Sequence, residues 1–405
     1  MRNIRKLGSF EKIFWLLDQT SQVHFVMAAE IAGFFSEQEL RCALDGLQRR
    51  HPLFSVYIES NGYKEPYFRQ VDGNAIPLRV VPVNSSHNLN DELAQELANP
   101  FNWAQAPLVR AVLLRVKDRA VVILTSHHAI GDAISMSFAF RDLLELLAGK
   151  QLDRLPVPPS IDMLAGIIVD EEVKGQLMHG ENSPAFTRRA EARPQVNLLK
   201  LSGVLTCNIL KRARQEGTTV HGAVCAAIIR ATREASDDWK AKQIRVVSPF
   251  SSRKTLGANE DYGLYIGSRK IIFEPENAAP FWDLARFSKE ALAGITPLES
   301  VIAGAKGMRQ MAFSDMDVRL FSKKLQEGVA REMMISNIGS LTYETDFGYL
   351  KLESLWGPLA FSGSKGEQVI GVSTVNKRMC LSHLSRIPLG SLLPLVEYEL
   401  ELACQ

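Results

Sequence analysis

The chain has 405 residues, 46% of them hydrophobic and 23% charged, which is more than one typical core holds and predicts two domains or lobes of an ordinary globular protein. A formal net charge of +2, with basic residues scattered apart from pairs such as Arg49-Arg50 and Arg188-Arg189, argues against a nucleic-acid footprint, and such pairs read as solvated surface. The five cysteines (Cys42, Cys207, Cys225, Cys380, Cys404) are odd in number, widely spaced and without a C-x-x-C, so neither a disulfide framework nor a zinc site is expected and a cytoplasmic location fits best.

The opening MRNIRKLGSFEKIFWLLDQTSQ lacks an uninterrupted apolar stretch and a small-residue cleavage site, so no signal peptide is expected. No apolar run approaches the ~18 residues of a spanning helix, so no integral membrane segment is expected. SEQELRCALDGLQRRHP predicts a helix capped by Ser36 and boxed by Glu39, with Leu40, Ala43, Leu44 and Leu47 on one face and Pro52 ending it. LFSVYIES reads as a strand. LVRAVLLRV and AVVILTSH predict a hairpin about Lys117-Asp118-Arg119. AISMSFAFRDLLELLAG has helical spacing, with Gly149 as its stop.

Between Gln151 and Gln195 the texture turns proline-rich and then polar and irregular, as in a linker, with a short helix in IDMLAGIIV. The second half opens on the amphipathic LTCNILKRARQEG and the small-residue helix TTVHGAVCAAIIRATREA. IRVVSPFSSR reads as a strand running into a loop. MMISNIGSL, GYLKLESLWGP, QVIGVSTVN and RMCLSHLS are further strands, with a turn at Asn376-Lys377, and a helix around SLLPLVEYELEL closes the chain. The mixture predicts α/β or α+β architecture with mixed sheets.

The stretch ILTSHHAIGDAISMSF places His127, His128 and Asp132 where a buried strand ends and a helix begins. Three uses are open. The histidines and aspartate can be structural, bonded in the core and capping the helix. They can hold a metal, but neighbouring strand side chains point to opposite faces and no second cluster lies near to complete a site, so no metal is expected. Or one imidazole faces a cavity and moves a proton near neutral pH, while the other packs inward and the aspartate meets a buried cation.

HHAIGDA resembles the HHxxxDG signature of the chloramphenicol-acetyltransferase-like superfamily, which holds condensation domains, HxxxD acyltransferases and polyketide-associated acyltransferases. RKLGSFEKIFWLLDQ, ALDGLQRRHPLFSVYI, LTCNILKRARQEGTTVHGAVCAAII, MISNIGSL and VSTVNKRMCLSHL resemble other parts of the same proteins in the same order, so the likeness covers most of the chain. It implies two similar lobes, here residues 1–175 and 196–405 about a linker at 176–195, with an active-site tunnel between them.

By the family pattern His128 is the general base, His127 shapes the loop, and Asp132 is structural and pairs with an arginine, for which Arg253 in PFSSR is the candidate. The motif's last glycine is Ala133 here, with Gly131 before the aspartate, which bears on acceptor size. An oxyanion donor is needed. Ser336, Asn337, Thr374 and Asn376 are polar in apolar strand regions, and Asn337 is the candidate, although turn and strand-end bonding is the ordinary use of such residues. Asp346-Phe347-Gly348 is a partial match to the family's DFGWG, which is structural there.

No phosphate loop, dinucleotide fingerprint or G-x-S-x-G elbow occurs. The resemblance implies an acyltransferase, moving groups other than aminoacyl, with no bound cofactor. Its donor would be an acyl-CoA or a phosphopantetheine-linked acyl thioester, the latter bringing a carrier-protein partner. Its acceptor would be an alcohol, giving an ester. The alternatives are an amide-forming condensation with an amine acceptor, a carrier-protein-binding scaffold without activity, and an epimerase-like use of the histidines.

Overall fold

The structure, a computed structural model, describes residues 2–60, 65–82, 88–116, 119–167, 193–275, 279–314, 318–328, 330–361 and 366–405. Most of the expected linker, Arg188-Arg189, His87, His179 and the Lys117-Asp118 turn lie outside the described residues.

Among the described residues the strands are β1 (Arg2–Lys6), β2 (His24–Ala32), β3 (Val56–Ser60), β4 (Pro66–Gln70), β5 (Leu78–Val81), β6 (Val109–Val116), β7 (Arg119–His127), β8 (Gln195–Lys200), β9 (Ile244–Ser251), β10 (Ile266–Phe273), β11 (Met333–Ser340), β12 (Lys351–Ala360), β13 (Gln368–Val375) and β14 (Arg378–Ser385). They form three sheets. A small antiparallel one has the order β1-β4-β3; a five-stranded one runs β12-β2-β7-β6-β5; a six-stranded one runs β10-β9-β11-β13-β14-β8. The two larger sheets are mixed, with parallel pairs β5–β6, β9–β11 and β11–β13. The α/β expectation is met, and the arrangement is the two-lobed chloramphenicol-acetyltransferase-like one.

The predicted hairpin is β6–β7, paired antiparallel from Val109–Ser126 to Val116–Arg119. β7 is the central strand of its sheet and is buried at every position after Arg119, which is why it reads as one apolar run rather than an alternation. Ser36 caps the helix Glu37–Arg50 as expected: its side chain accepts from the Glu39 N–H at 3.1 Å and Glu39 Oε2 accepts from the Ser36 N–H at 2.6 Å. LFSVYIES is a strand only from Val56. Pro52, fixed in φ, opens a 3-10 turn over Pro52–Ser55 first. In IDMLAGIIV only Ile161–Leu164 is helical among the described residues, with Ser160 as its cap.

β12 comes from the second half of the chain but pairs antiparallel with β2, completing the sheet that carries β7. It also lies across β13 and β14. The approach there is close: a Cβ on Gly371 would stand 2.4 Å from the Pro358 carbonyl oxygen. Lys200 of β8 donates to Ser354 Oγ of β12 at 2.6 Å, and that hydroxyl donates to Glu30 of β2 at 2.7 Å, so β12 bonds both sheets.

Candidate functional site

β7 delivers the double histidine to its end. His127 is the last strand residue, in register with His24 of β2, and is fully buried. Its Nδ1 accepts from the Ala129 N–H at 3.1 Å, which puts the hydrogen of the neutral ring on Nε2, 3.6 Å from Asp18 Oδ2. His127 therefore braces the turn from inside.

His128 sits in the turn just beyond and is half-buried. Phe14, from the helix Ser9–Asp18, stacks on its ring at 4.2 Å with 19° between planes, and Phe25 of β2 meets it at 4.8 Å and a tilt. His128 Nδ1 lies 3.0 Å from the Gly131 carbonyl oxygen. A carbonyl only accepts, so Nδ1 carries the hydrogen and Nε2 holds a lone pair. Burial pushes the imidazole down to about 4, against the opposing pull of Asp132. The ring is enclosed on its flanks yet keeps accessible surface, so at neutral pH it is an uncharged base with a reachable edge.

Asp132 does not face that ring's free nitrogen. It caps the helix Ala133–Leu147: Oδ1 accepts from the Ser135 N–H at 2.8 Å and lies 2.9 Å from Ser135 Oγ. Its Oδ2 accepts from the Tyr265 N–H at 2.8 Å, a bond between the two halves of the chain. Arg253 is buried and places Nη2 3.6 Å from Asp132 Oδ1, but its direct bonds go elsewhere. Nη2 donates to Ser135 Oγ and to the carbonyls of Asp261 (3.0 Å) and Gly263 (3.3 Å), and Nη1 to that of Asn259 (2.7 Å). Ser135 thus stands between aspartate and arginine. Its hydroxyl also accepts from the Gly263 N–H at 3.1 Å.

Asn337 lies where the β11–β13 register shifts, and its Oδ1 accepts from the Gly339 N–H at 2.8 Å. Among the described contacts none joins it to the His128 turn. Ala133 is the first residue of the capped helix. Sequence reasoning missed Phe14, Ser135, Tyr262 and Tyr265. For the aromatics no local pattern signals a partner more than a hundred residues away. The glycine at 131 is a trace of Tyr262, which packs against it. Among the described residues no group of three or more His, Cys, Asp and Glu side chains has a metal-holding arrangement. No helix among them is long and apolar enough to cross a membrane.

The condensation-domain family matches residues 13–163, which carry the double histidine, and the phthiocerol/phthiodiolone dimycocerosyl transferase C-terminus family matches residues 190–257, which carry Arg253. Surfactin synthase subunit 2 of Bacillus subtilis (strain 168) is 30% identical over 309 residues, 70% of this chain and 8% of that protein. The chain spans a tenth or less of the length of the curated relatives it matches best. In fold it is similar to polyketide synthase associated protein 5 from Mycobacterium tuberculosis, at a TM-score of 0.68 and 17% identity over 99% of this chain and 97% of that one. It is also similar to trichothecene 15-O-acetyltransferase from Fusarium sporotrichioides, at 0.67 and 13% over 99% and 95%.

The class is that of two-lobed transferases built about a double-histidine turn. The chain belongs to the chloramphenicol-acetyltransferase-like superfamily of condensation domains and acyltransferases.

Proposed function

We propose that the protein transfers an acyl group, other than aminoacyl, from a CoA or carrier-protein thioester to a hydroxyl acceptor, with His128 as general base. The observation that carries this is the bond from His128 Nδ1–H to the Gly131 carbonyl at 3.0 Å, which leaves Nε2 unprotonated on the ring's accessible side. Nε2 takes the hydroxyl proton as the oxygen attacks the thioester carbonyl. The tetrahedral oxyanion collapses, the carbon–sulfur bond breaks, and the imidazolium returns the proton to the departing thiolate. The same nitrogen serves both transfers, so no acyl-enzyme is required. Asn337, with its side-chain oxygen bonded locally and its amide hydrogens without a described partner, is the proposed oxyanion donor.

Asp132, His127 and Arg253 hold the turn rather than touch substrate. The lobes we assign to residues 1–175 and 196–405, about a linker at 176–195, share β12 and the Asp132–Tyr265 bond. All five cysteines are unpaired, in keeping with a reducing cytoplasm. The match to a dimycocerosyl transferase C-terminus favours ester formation. The condensation-domain match and the peptide-synthase relatives favour a second reading, an amine acceptor and an amide product.

Thiol release from acyl-CoA and acyl-carrier-protein donors, with alcohols and with amines, separates these. Acceptor-dependent release that is lost in His128→Ala establishes the reaction and names the acceptor. Equal release in the variant removes His128 from the mechanism, and firm carrier binding without turnover points to a scaffold.

A further inference from the structure

A cavity of about 330 Å³ opens beside the His128 turn, between the helix Ser9–Asp18, the helix Leu298–Ala312 and the β9–β10 pair. Two short links join it to the catalytic turn. Phe10 lines it, and Phe14, whose ring covers His128, follows one helical turn later on the same face. On the other wall Ile266 follows Tyr265, whose N–H holds Asp132.

The walls are mainly apolar, with Phe10, Phe250, Ile266, Val301 and Met308 among them. Among the described lining residues the one charge is Arg269, which is exposed. Two glycines shape the space. At Gly267 a Cβ would stand 2.3 Å from Phe250 Cζ, so the missing side chain lets that ring lie against the backbone. At Gly304, on the Leu298–Ala312 helix, an added Cβ would meet no atom within 4 Å, so the chain leaves this wall bare without any packing need.

We propose that this cavity receives an aliphatic chain of on the order of ten carbons, carried by the acyl donor or by the acceptor, whose reacting carbon lies at His128 Nε2. A water-sized unit occupies ~30 Å³. A methylene is of similar size, and 330 Å³ therefore holds on the order of ten. Each methylene moved from water into such walls raises affinity about fourfold. The inference rests on the acyl-transfer reading of His128 and names the class of substrate that reading leaves open.

The test fills the bare wall with Gly304→Phe, at an exposed mid-helix position where replacing glycine improves helix propensity. Thiol release is measured with donors from acetyl-CoA to palmitoyl-CoA and one short alcohol, then with acetyl-CoA and alcohols from ethanol to hexadecanol. The expected result is a fall of ~30-fold or more in the kcat/KM ratio of the ten-carbon substrate to its two-carbon counterpart, from loss of several methylenes' burial. A fall in the donor series assigns the cavity to the acyl group, and a fall in the alcohol series to the acceptor. A chain-length profile unchanged by Gly304→Phe, with turnover still lost in His128→Ala, overturns the cavity and leaves acyl transfer intact. If no thioester is consumed, the acyl-transfer reading fails, and titration calorimetry with decanol and decanoate decides the cavity alone. Binding to the wild-type chain that Gly304→Phe weakens supports it, and no binding, or equal binding, overturns it.

Discussion

Gly131 and Tyr262 are fitted to each other: a Cβ at position 131 would lie 2.2 Å from Tyr262 Cε1. The ring has no room to retreat, being buried with Phe54 at 4.3 Å and His51 at 5.9 Å. Gly131 also presents the carbonyl that fixes the His128 tautomer. Gly131→Ala is therefore expected to cost about 1–3 kcal/mol of stability, the usual cost of overpacking, and to lower kcat by displacing that carbonyl. Urea unfolding and steady-state kinetics check it. A variant as stable and active as the parent removes the fit from the account.

The turn was legible in the sequence because its residues are consecutive: an apolar strand, two histidines and a capping aspartate describe their own geometry within seven positions. The same holds for the Ser36 capping box and the β6–β7 hairpin. Arg253 was found through the resemblance and lies 3.6 Å from Asp132, but its bond through Ser135 was not foreseen, since a serine after a helix cap looks like any first-turn residue. β12 was read as a strand, and its partner was not legible, because an alternation of apolar residues does not say which sheet it joins. Phe14 over His128 is a tertiary contact across more than a hundred residues and leaves no local signal.

His128 as base sets a pH profile. Burial holds its imidazole near 4, so the ring is already unprotonated at neutral pH. The value of kcat/KM, which reports the free enzyme, is expected to stay level from pH about 8 down to about 5, with no inflection near the ordinary 6.5 of an exposed imidazole. His128→Ala should lower turnover by ~10²- to 10⁴-fold. A clear inflection at 6.5 in the parent enzyme would place the ring in open water and contradict its enclosure.

Ser135 and Arg253 should act as one unit. Arg253→Met strips the buried cation from three carbonyls and the Ser135 hydroxyl, at an expected cost of about 3–5 kcal/mol. Ser135→Ala leaves the Gly263 N–H and the Arg253 Nη2 short of an acceptor, at about 1–3 kcal/mol. Because the two share a bond, the double variant should fall short of the sum by at least ~0.5 kcal/mol. Chemical unfolding of all four proteins measures the coupling, and strict additivity would show that serine and arginine are independent.

Phe14 is the main cover of the His128 ring, and desolvation is the largest cause of that ring's lowered pKa. Phe14→Ala should admit water to one face and move the imidazole up toward 6.5. The kcat/KM profile then gains an acid limb that the parent lacks in the same range. A loss of activity with an unchanged profile would assign Phe14 to substrate contact alone.

Acid stability provides a test that needs no substrate. Burial holds His128, His221 and His383 each near 4, and pushes His51 down as well. In the unfolded chain the same imidazoles titrate near 6.5. Between about 6.5 and about 4 the unfolded chain thus binds protons that the folded one refuses, so stability present above 6.5 falls as the pH drops through that window and levels off below it. The shallow end, from about 7 to about 5, belongs to the histidines, because Asp142, whose carboxyl is held near 2 with His51 and Arg50 bonded to it, titrates lower. His383 donates from Nε2 to Gln368 Oε1 at 2.8 Å, a bond a glutamine amide can imitate, so His383→Gln should keep the fold and remove one proton from the slope. Urea midpoints of both proteins at pH 7, 6 and 5 give the comparison. A parent whose stability is flat across that range, or a variant with the same slope, would mean that these rings are not refused protons by the fold.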